Sequence, residues 1–293
     1  MLDLKNQSKA YIYASITIAF WSTVATAFKI GLRHLDFLHL LFFSSIFSFI
    51  FLLGIAYFQG KLKLLVTINK KDLLLCATLG ALNPFLYYLL IFKAYTLLPA
   101  QVAQPLNMIW PIVLVFLSVP FLKSKVSLRS YAALLISFAG VYFIATAGKP
   151  FEFNISSPIG VVLCLSSSLV WSFFWIFNMR SKMDEVLKLL LNFFFAIMYL
   201  FLIISIFSDF KTPSVEGILS GIYIGAFEMG FGFYFWLKAL QLSESPDKIT
   251  NLVYLAPFLS LIFIHFIVGE TIYITTIAGL FLIVSGIIFQ KLR

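Results

Sequence analysis

One carboxylate stands in the middle of an apolar stretch of this sequence. Glu228 lies eleven residues into the apolar run 217–238, close to the centre of any helix that crosses a bilayer there. An ionised carboxylate at that depth costs at least about 2.5–3.5 kcal/mol on insertion scales, so it should face protein or water rather than lipid. Glu228 is therefore a candidate to bind a cationic or amino group, or to carry a coupling proton. The alternative is a structural carboxylate that is protonated or hydrogen-bonded.

Small residues share the predicted helix face with this carboxylate. Gly217, Gly221, Gly225, Glu228 and Gly232 follow one another at intervals of 4, 4, 3 and 4 residues. A ridge of small residues lets two helix backbones approach closely inside a membrane. The spacing therefore predicts a close helix contact along this face.

Two polar stripes run along other apolar segments. At 100° per residue, each stripe falls within an arc of about 120° on its helix. They consist of Gln101, Gln104 and Asn107 in the run 100–121, and of Thr250, Asn251 and Tyr254 in the run 248–268. We interpret them as walls of a substrate-binding cavity. The alternative is hydrogen bonding between helices, which contributes only about 0.6 kcal/mol per bond on average.

Smaller polar groups extend this candidate site. Asn83 precedes Pro84, and a proline inside a helix frees backbone carbonyls that then need other partners. This position suits a cavity wall or a hinge, and equally a plain structural kink. Ser22 and Thr26 lie on one face of the run 10–30 and are further candidates to contact the substrate.

Two tryptophans are the aromatic candidates. Trp171 and Trp175 are one helical turn apart in the run 158–178. Their rings can stack on a flat or apolar substrate, or bind a cation over the ring face. Packing, or anchoring at the membrane interface, is the commoner role of tryptophan in membrane proteins and remains the alternative.

The composition identifies the elements that must hold these side chains. Of 293 residues, 61% are hydrophobic and 11% are charged, whereas a soluble domain has about 45–50% and about 25%. These values exclude a water-soluble domain, and uninterrupted apolar runs of about 20 residues are typical of transmembrane helices. The runs cover 10–30, 37–58, 73–93, 100–121, 128–147, 158–178, 187–207, 217–238, 248–268 and 272–290. We predict an all-α polytopic membrane protein with ten transmembrane helices.

The basic residues orient these helices. If the N-terminus is inside, sixteen of the 21 Lys and Arg residues lie on the cytoplasmic side and five on the outer side. This asymmetry is the positive-inside pattern and places both termini in the cytoplasm. Because the positive charges are scattered in short connections, the net charge of +9 does not indicate a nucleic-acid partner.

The two halves of the chain repeat one another. The matched segments lie 145–150 residues apart: 20–22 with 170–172, 88–94 with 233–239, Pro111 with Pro257, and 139–141 with 285–287. The offset of 145 residues also pairs Asn83 with Glu228. The unit has five helices, and because five is odd the second copy must be inverted. We predict two five-helix repeats, 1–148 and 149–293, with a substrate site near mid-membrane between them, as in transporters.

The chain resembles the EamA-type permeases of the drug/metabolite transporter superfamily. The resemblance rests on the two five-helix halves, the Phe-Trp-Ser segment at 20–22, the Lys-Ala pairs at 93–94 and 238–239, and Gly269-Glu270 before the last helix. It implies a carrier of the bacterial inner membrane whose central cavity opens alternately to either side. Members move amino acids, other small metabolites or toxic compounds, often outward.

Other chemistry has little support in the sequence. The sequence contains no Gly-rich phosphate-binding loop of the kind found in ATPases. Cys76 and Cys164 fall inside apolar runs and do not have the spacing of metal ligands. No cofactor and no metal are expected. The expected partners are a small-molecule substrate and the lipid bilayer, with protons as a candidate coupling ion.

The resulting functional prediction is a secondary transporter of the inner (cytoplasmic) membrane that works by alternating access. Its substrate would be a small metabolite, with an amino acid, an amine-like or an aromatic compound favoured by Glu228 and the tryptophans. Export is slightly favoured over uptake on the resemblance. The alternatives are proton-coupled efflux of drugs or toxic compounds, and an intramembrane enzyme that modifies lipids.

Overall fold

The described part of the chain consists of helices and short connections. The computed structural model describes residues 2–122, 128–152, 155, 157–178, 181, 183–210, 212–244, 249 and 251–291. Its α-helices are α1 (Leu2–His34), α2 (Phe37–Phe58), α3 (Lys70–Gly80), α4 (Tyr87–Leu97), α5 (Ala100–Asn107), α6 (Trp110–Leu122), α7 (Leu128–Ala145), α8 (Pro158–Asn178), α9 (Glu185–Phe207), α10 (Val215–Tyr223), α11 (Phe231–Leu242), α12 (Leu255–Phe263) and α13 (Ile274–Lys291). Two 3₁₀-helices, Leu62–Thr67 and Asn251–Tyr254, and three π-helical segments, Ala81–Leu86, Ile224–Gly230 and Ile264–Val268, complete the described elements.

Length and composition make these helices membrane-spanning. Seven helical spans in the described residues are long and apolar enough to cross a bilayer, and three shorter apolar helices accompany them. Large apolar side chains such as Phe58 and Phe207, 88% and 78% exposed, point away from the protein. A bilayer accommodates such side chains, so the all-α polytopic membrane fold is confirmed. The count of ten spans and the cytoplasmic position of both termini stay predictions.

Two apolar spans contain π-helical segments at matching positions of the predicted repeat. Shifted by 145 residues, the segment Ala81–Leu86 overlaps the segment Ile224–Gly230. The first break follows from Pro84, which lacks an N–H group, and leaves Asn83 with non-helical φ and ψ of −146° and 123°. The second contains two glycines, which are poor helix formers. The predicted candidates Asn83 and Glu228 both lie where the α-helical hydrogen-bond pattern fails.

The chain forms two compact units that do not coincide with the predicted repeats. Unit 1 comprises residues 1–85 and 182–263, and unit 2 comprises residues 86–181 and 264–293. In unit 1, α1 packs on α11 and α12, while α2 packs on α9, on α10 and on the π segment Ile224–Gly230. In unit 2, α8 packs on α4, α5 and α6, and α7 packs on α13.

The predicted glycine ridge makes close contacts but faces two helices rather than one. Gly221 and Gly225 lie against α2, where an added Cβ at Gly225 would come within 2.6 Å of the Ser44 carbonyl oxygen. Gly232 instead faces α1, where an added Cβ would come within 3.0 Å of the Trp21 Nε1 atom. The prediction of one continuous face is wrong because the π segment, with its i→i+5 hydrogen bonds, shifts the helix face between these glycines.

The contact between α7 and α13 in unit 2 is also close and antiparallel. Gly140 lies against Gly279 and Ile283, and the Ser137 hydroxyl donates to the Ile283 carbonyl oxygen at 3.4 Å. Gly286 lies against Ala133 and Ser137. A shift of 146 residues carries the bounds of α7 onto those of α13, so this contact joins helices that correspond in the predicted repeat.

Candidate functional site

Glu228 lies half-buried in the middle of the π segment Ile224–Gly230, which belongs to unit 1. The indole Nε1 of Trp21 on α1 donates to the Glu228 backbone carbonyl oxygen at 3.4 Å. The Trp21 ring lies 5.3 Å from the Trp236 ring and edge-on to Phe233 at 6.4 Å, both measured between centroids. Because a π turn leaves backbone carbonyls without their α-helical partners, this indole satisfies one of them and ties α1 to the segment that carries Glu228.

Aromatic side chains continue this contact on the N-terminal side of Glu228. The Thr23 hydroxyl lies 2.7 Å from the Tyr223 hydroxyl. Phe227 lies between Phe20 and Tyr223, with ring centroids 4.8 Å from each. Tyr223 and Phe227 were not predicted, because in a chain with 35 phenylalanines and 13 tyrosines the sequence offers no signal that separates these rings from lipid-facing ones.

The other predicted residues of unit 1 differ in how their polar atoms are satisfied. Ser22 donates to the Ala19 carbonyl of its own helix at 2.7 Å and is buried. Thr26 and Asn83 are also buried, at 4% and 1% exposure, but the Thr26 hydroxyl and the Asn83 side-chain oxygen have no hydrogen-bond partner among the described residues. Tyr254 is buried near the end of its 3₁₀-helix.

Two candidates cannot be placed. Thr250 lies outside the described residues, and of Asn251 the structure describes the backbone but not the side chain. Their assignment to the site stays a prediction.

In unit 2 the stripe of Gln101, Gln104 and Asn107 separates into different roles. The Asn107 side-chain oxygen accepts from the Tyr87 hydroxyl at 3.1 Å, and its nitrogen donates to the Ser167 hydroxyl at 2.8 Å. These bonds join α5 to α4 and α8, which is the alternative considered from the sequence. Gln104 is buried, and its side-chain oxygen has no partner in the described part of the chain.

The two tryptophan candidates belong to an aromatic cluster beside this stripe. Trp171 lies 4.8 Å from Tyr87 and 6.0 Å from Trp175, and 6.4 Å from Trp110, between ring centroids. The buried Nε1 of Trp175 has no hydrogen-bond partner among the described residues. Trp171 thus packs on several rings, including Phe174 at 5.9 Å, while Trp175 retains an indole donor that a ligand or a water molecule can use.

Gln101 is held by the connection that precedes α13 and by the first turn of that helix. Its side-chain nitrogen donates to the Thr271 carbonyl at 2.8 Å, and its oxygen accepts from the Tyr273 backbone N–H at 2.8 Å and the Thr276 hydroxyl at 3.3 Å. In return, Glu270 accepts from the backbone N–H groups of Ala100, at 2.7 Å, and Gln101, at 3.1 Å. This arrangement is the 100–276 clamp, and it gives Gln101 a structural role.

Comparison with known proteins identifies the family. The EamA-like transporter family matches this chain twice, at residues 8–146 and at residues 158–290. The chain belongs to the EamA-like transporter family. The two matched segments lie one in each of the predicted repeats.

Relatives of this EamA-like transporter share most of its length. A protein of Archaeoglobus fulgidus named as an uncharacterized transporter is 22% identical over 96% of both chains. The uncharacterized transporter YvbV of Bacillus subtilis is 28% identical over 70% of this chain and 68% of its own. One solved crystal structure superposes with a TM-score of 0.69 at 17% identity, covering 97% of this chain and 96% of that one, which shows a shared fold.

The 100–276 clamp explains the Gly269-Glu270 pair on which the resemblance to EamA-type permeases partly rests. Gly269 ends the preceding helical segment with φ of +83°, in the left-handed region that favours glycine. The next residue, Glu270, can then place its carboxylate at the first two N–H groups of α5, where a negative charge is favourable. The sequence pointed to this pair without assigning its role, because 169 residues separate Glu270 from its partner Gln101.

We expect Glu270→Gln to destabilise this EamA-like transporter. The amide keeps the size of the side chain but removes the charge-assisted hydrogen bonds at the N-terminus of α5, at an expected cost of about 1–2 kcal/mol. Thermal unfolding in detergent measures the loss. The matched control is Glu152→Gln, which breaks only an exposed ion pair with Lys149 and should be nearly neutral. An equal effect of both substitutions would contradict the capping role.

Proposed function

We propose that this EamA-like transporter is a secondary carrier of the cytoplasmic membrane that moves a small metabolite with hydrogen-bonding groups by alternating access. The observation that supports it most directly is a set of buried polar atoms without partners among the described residues. Four of these atoms belong to residues predicted from the sequence: the Thr26 hydroxyl and the Asn83 side-chain oxygen in unit 1, and the Gln104 side-chain oxygen and the Trp175 Nε1 in unit 2. Leaving such an atom unsatisfied costs about 1–3 kcal/mol, so a polar ligand that pairs with it gains affinity there.

The substrate class follows from the charge of the site. Glu228 offers a carboxylate in the π segment Ile224–Gly230. Neighbouring rings such as Trp21 and Phe227 lie where α1 packs on this segment. An amino or other cationic group of the substrate would pair with the carboxylate and pack on aromatic faces. We propose an amino acid, an amine or an aromatic amine-like compound, contacted in unit 1 by Glu228, Asn83 and Thr26.

The interrupted helices supply the flexibility that alternating access requires. The π segments Ala81–Leu86 and Ile224–Gly230 lack the regular hydrogen bonds that hold an α-helix straight, and each carries a candidate substrate contact. Bending at these segments would couple the position of Asn83 and Glu228 to the opening of the carrier. The driving force would be the substrate gradient or proton exchange, with Glu228 as the proton carrier, and export is favoured on the family resemblance.

The test has two steps. Metabolite profiles of cells and medium, with and without expression of the transporter, should differ in at least one amine-containing compound. That compound should then enter proteoliposomes that contain the purified protein and no nucleotide. Unchanged profiles, or flux that requires ATP, would contradict the proposal. The match to a transporter family already favours it over the lipid-modifying enzyme considered from the sequence.

A further inference from the structure

The connection between α2 and α3 exposes apolar side chains that no described part of the protein covers. The 3₁₀-helix Leu62–Thr67 contains no buried residue, although four of its six residues are apolar. Val66 is 90% exposed, and Leu64 is 41% exposed. Transfer of this exposed apolar surface from water into an apolar environment is favourable.

The elements on both sides of this 3₁₀-helix extend the apolar surface. Tyr57 and Phe58 end α2 and are exposed, and Leu74 is exposed in the first turns of α3. Aromatic residues at the end of a spanning helix are typical of the membrane–water boundary. The surface therefore lies where headgroups meet acyl chains, on the side that the basic residues assign to the cytoplasm.

The same segment carries positive charge that forms no ion pair in the described part of the chain. Lys63, Lys70 and Lys71 are exposed and make no ion pair within the described residues. The nearest carboxylate in the sequence, Asp72, is held by the Asn69 side chain at 2.8 Å. The excess of positive charge makes this surface complementary to an anionic one.

Two contacts near its N-terminal end fix the segment to the rest of unit 1. The Gln59 side-chain nitrogen donates to the Tyr234 hydroxyl at 2.8 Å. Lys61 pairs with Asp184, the N-terminal capping residue of α9, at 2.6 Å. Gly60, with φ of +65°, permits the turn that brings Lys61 there. The segment is thus held at one end, while its apolar side chains and three lysines stay exposed.

We propose that residues 57–74 form a docking surface for anionic phospholipids of the cytoplasmic leaflet. Val66, Leu64 and Phe58 enter the boundary of the acyl chains, and Lys63, Lys70 and Lys71 bind headgroup phosphates. This inference does not depend on the substrate or on transport, because it concerns the outer surface of the protein alone.

Depth measurement tests the apolar part of the proposal. Both native cysteines are buried, so Val66→Cys provides a single exposed site for a spin label. In vesicles of phosphatidylcholine and phosphatidylglycerol, the label at residue 66 should be more accessible to oxygen and less accessible to a water-soluble nickel complex than a label at Lys149→Cys, where the native lysine side chain is 65% exposed. Equal accessibility of both labels to the nickel complex would overturn the proposal.

Lipid counting tests the charged part. Native mass spectrometry of the detergent-solubilised protein should show phosphatidylglycerol bound in preference to phosphatidylcholine. Each lysine near an anionic membrane surface is worth about fivefold in binding, so the triple variant Lys63→Gln/Lys70→Gln/Lys71→Gln should lose at least about tenfold. The triple Lys→Arg variant should keep its affinity.

A charge-matched control distinguishes lipid binding at residues 57–74 from a general attraction of anionic lipids to the positively charged protein. Arg33→Gln/Lys93→Gln/Lys149→Gln removes three exposed positive charges elsewhere and should change phosphatidylglycerol binding less than about twofold. Elution as a single folded species in size-exclusion chromatography confirms that each variant is intact. An equal loss in both triple variants, or wild-type binding in the Lys63/Lys70/Lys71 variant, would overturn the proposal.

Discussion

Replacing Glu228 by Gln is expected to lower substrate flux into proteoliposomes by at least about tenfold and to remove its dependence on a proton gradient. The amide keeps the shape of the side chain but can neither balance a cationic group nor release a proton. A hydrogen bond to a charged group is worth about 1.5–3 kcal/mol, which corresponds to about 10–100-fold in binding. Initial rates at several pH values, with and without an imposed gradient, measure both effects.

The loss should not come from misfolding. Removal of a charge from the middle of a spanning helix lowers its cost of insertion, so Glu228→Gln should be at least as stable as the wild type. Glu216→Gln is the matched control, because Glu216 lies exposed in the first turn of the same span. A folded Glu228→Gln variant with wild-type flux and wild-type pH dependence would remove Glu228 from the proposed site, while transport by the protein itself would stand.

The second large effect is expected at Gly225, the closest point between α2 and the π segment. In Gly225→Ala the new Cβ would come within 2.6 Å of the Ser44 carbonyl oxygen and 2.9 Å of both the Phe47 Cβ and the Ser48 backbone nitrogen. Two of these atoms belong to the backbone, so they cannot rotate away, and the helices must separate. Overpacking of this kind costs about 1–3 kcal/mol or more. The thermal midpoint in detergent should fall by about 3 °C or more, and flux should fall with it.

Gly54→Ala provides the comparison for Gly225→Ala. Gly54 also lies in a spanning helix, but an added Cβ there meets no atom within 4 Å. Since alanine is the better helix former, this substitution should leave stability unchanged or raised. Should Gly225→Ala and Gly54→Ala have the same midpoint, the close packing of α2 on the π segment would not limit stability.

Apolar runs predicted most of the fold because a transmembrane helix can be recognised in a sequence from the length and composition of its apolar run. The run 158–178 coincides with α8, and the run 217–238 corresponds to the span Val215–Leu242. Periodicity did not reveal that a π segment interrupts this span. A stripe calculated at a constant 100° per residue assumes an unbroken helix, so it placed Gly225 and Gly232 on one face.

The candidate site was less predictable because side chains of one type have different roles at different positions. Gln101 and Gln104 lie three residues apart on one helix, yet Gln101 makes three hydrogen bonds to residues 271–276 and the oxygen of Gln104 has no partner among the described residues. The difference lies in what each amide meets, and the partners of Gln101 lie about 170 positions away in the sequence. Only the structure separates a structural amide from one available to a ligand.

The antiparallel contact of α7 with α13 is symmetric about its centre. Under the offset of 146 residues, the contact of Gly140 with Gly279 maps onto that of Ala133 with Gly286, and the pair Ser137 and Ile283 maps onto itself. A contact that maps onto itself in this way has the twofold symmetry of an isologous dimer interface. Two separate copies of one five-helix half, inserted in opposite orientations, would pair through the same surface. The contact between α7 and α13 thus has the symmetry expected if the two predicted repeats arose by duplication of one five-helix half.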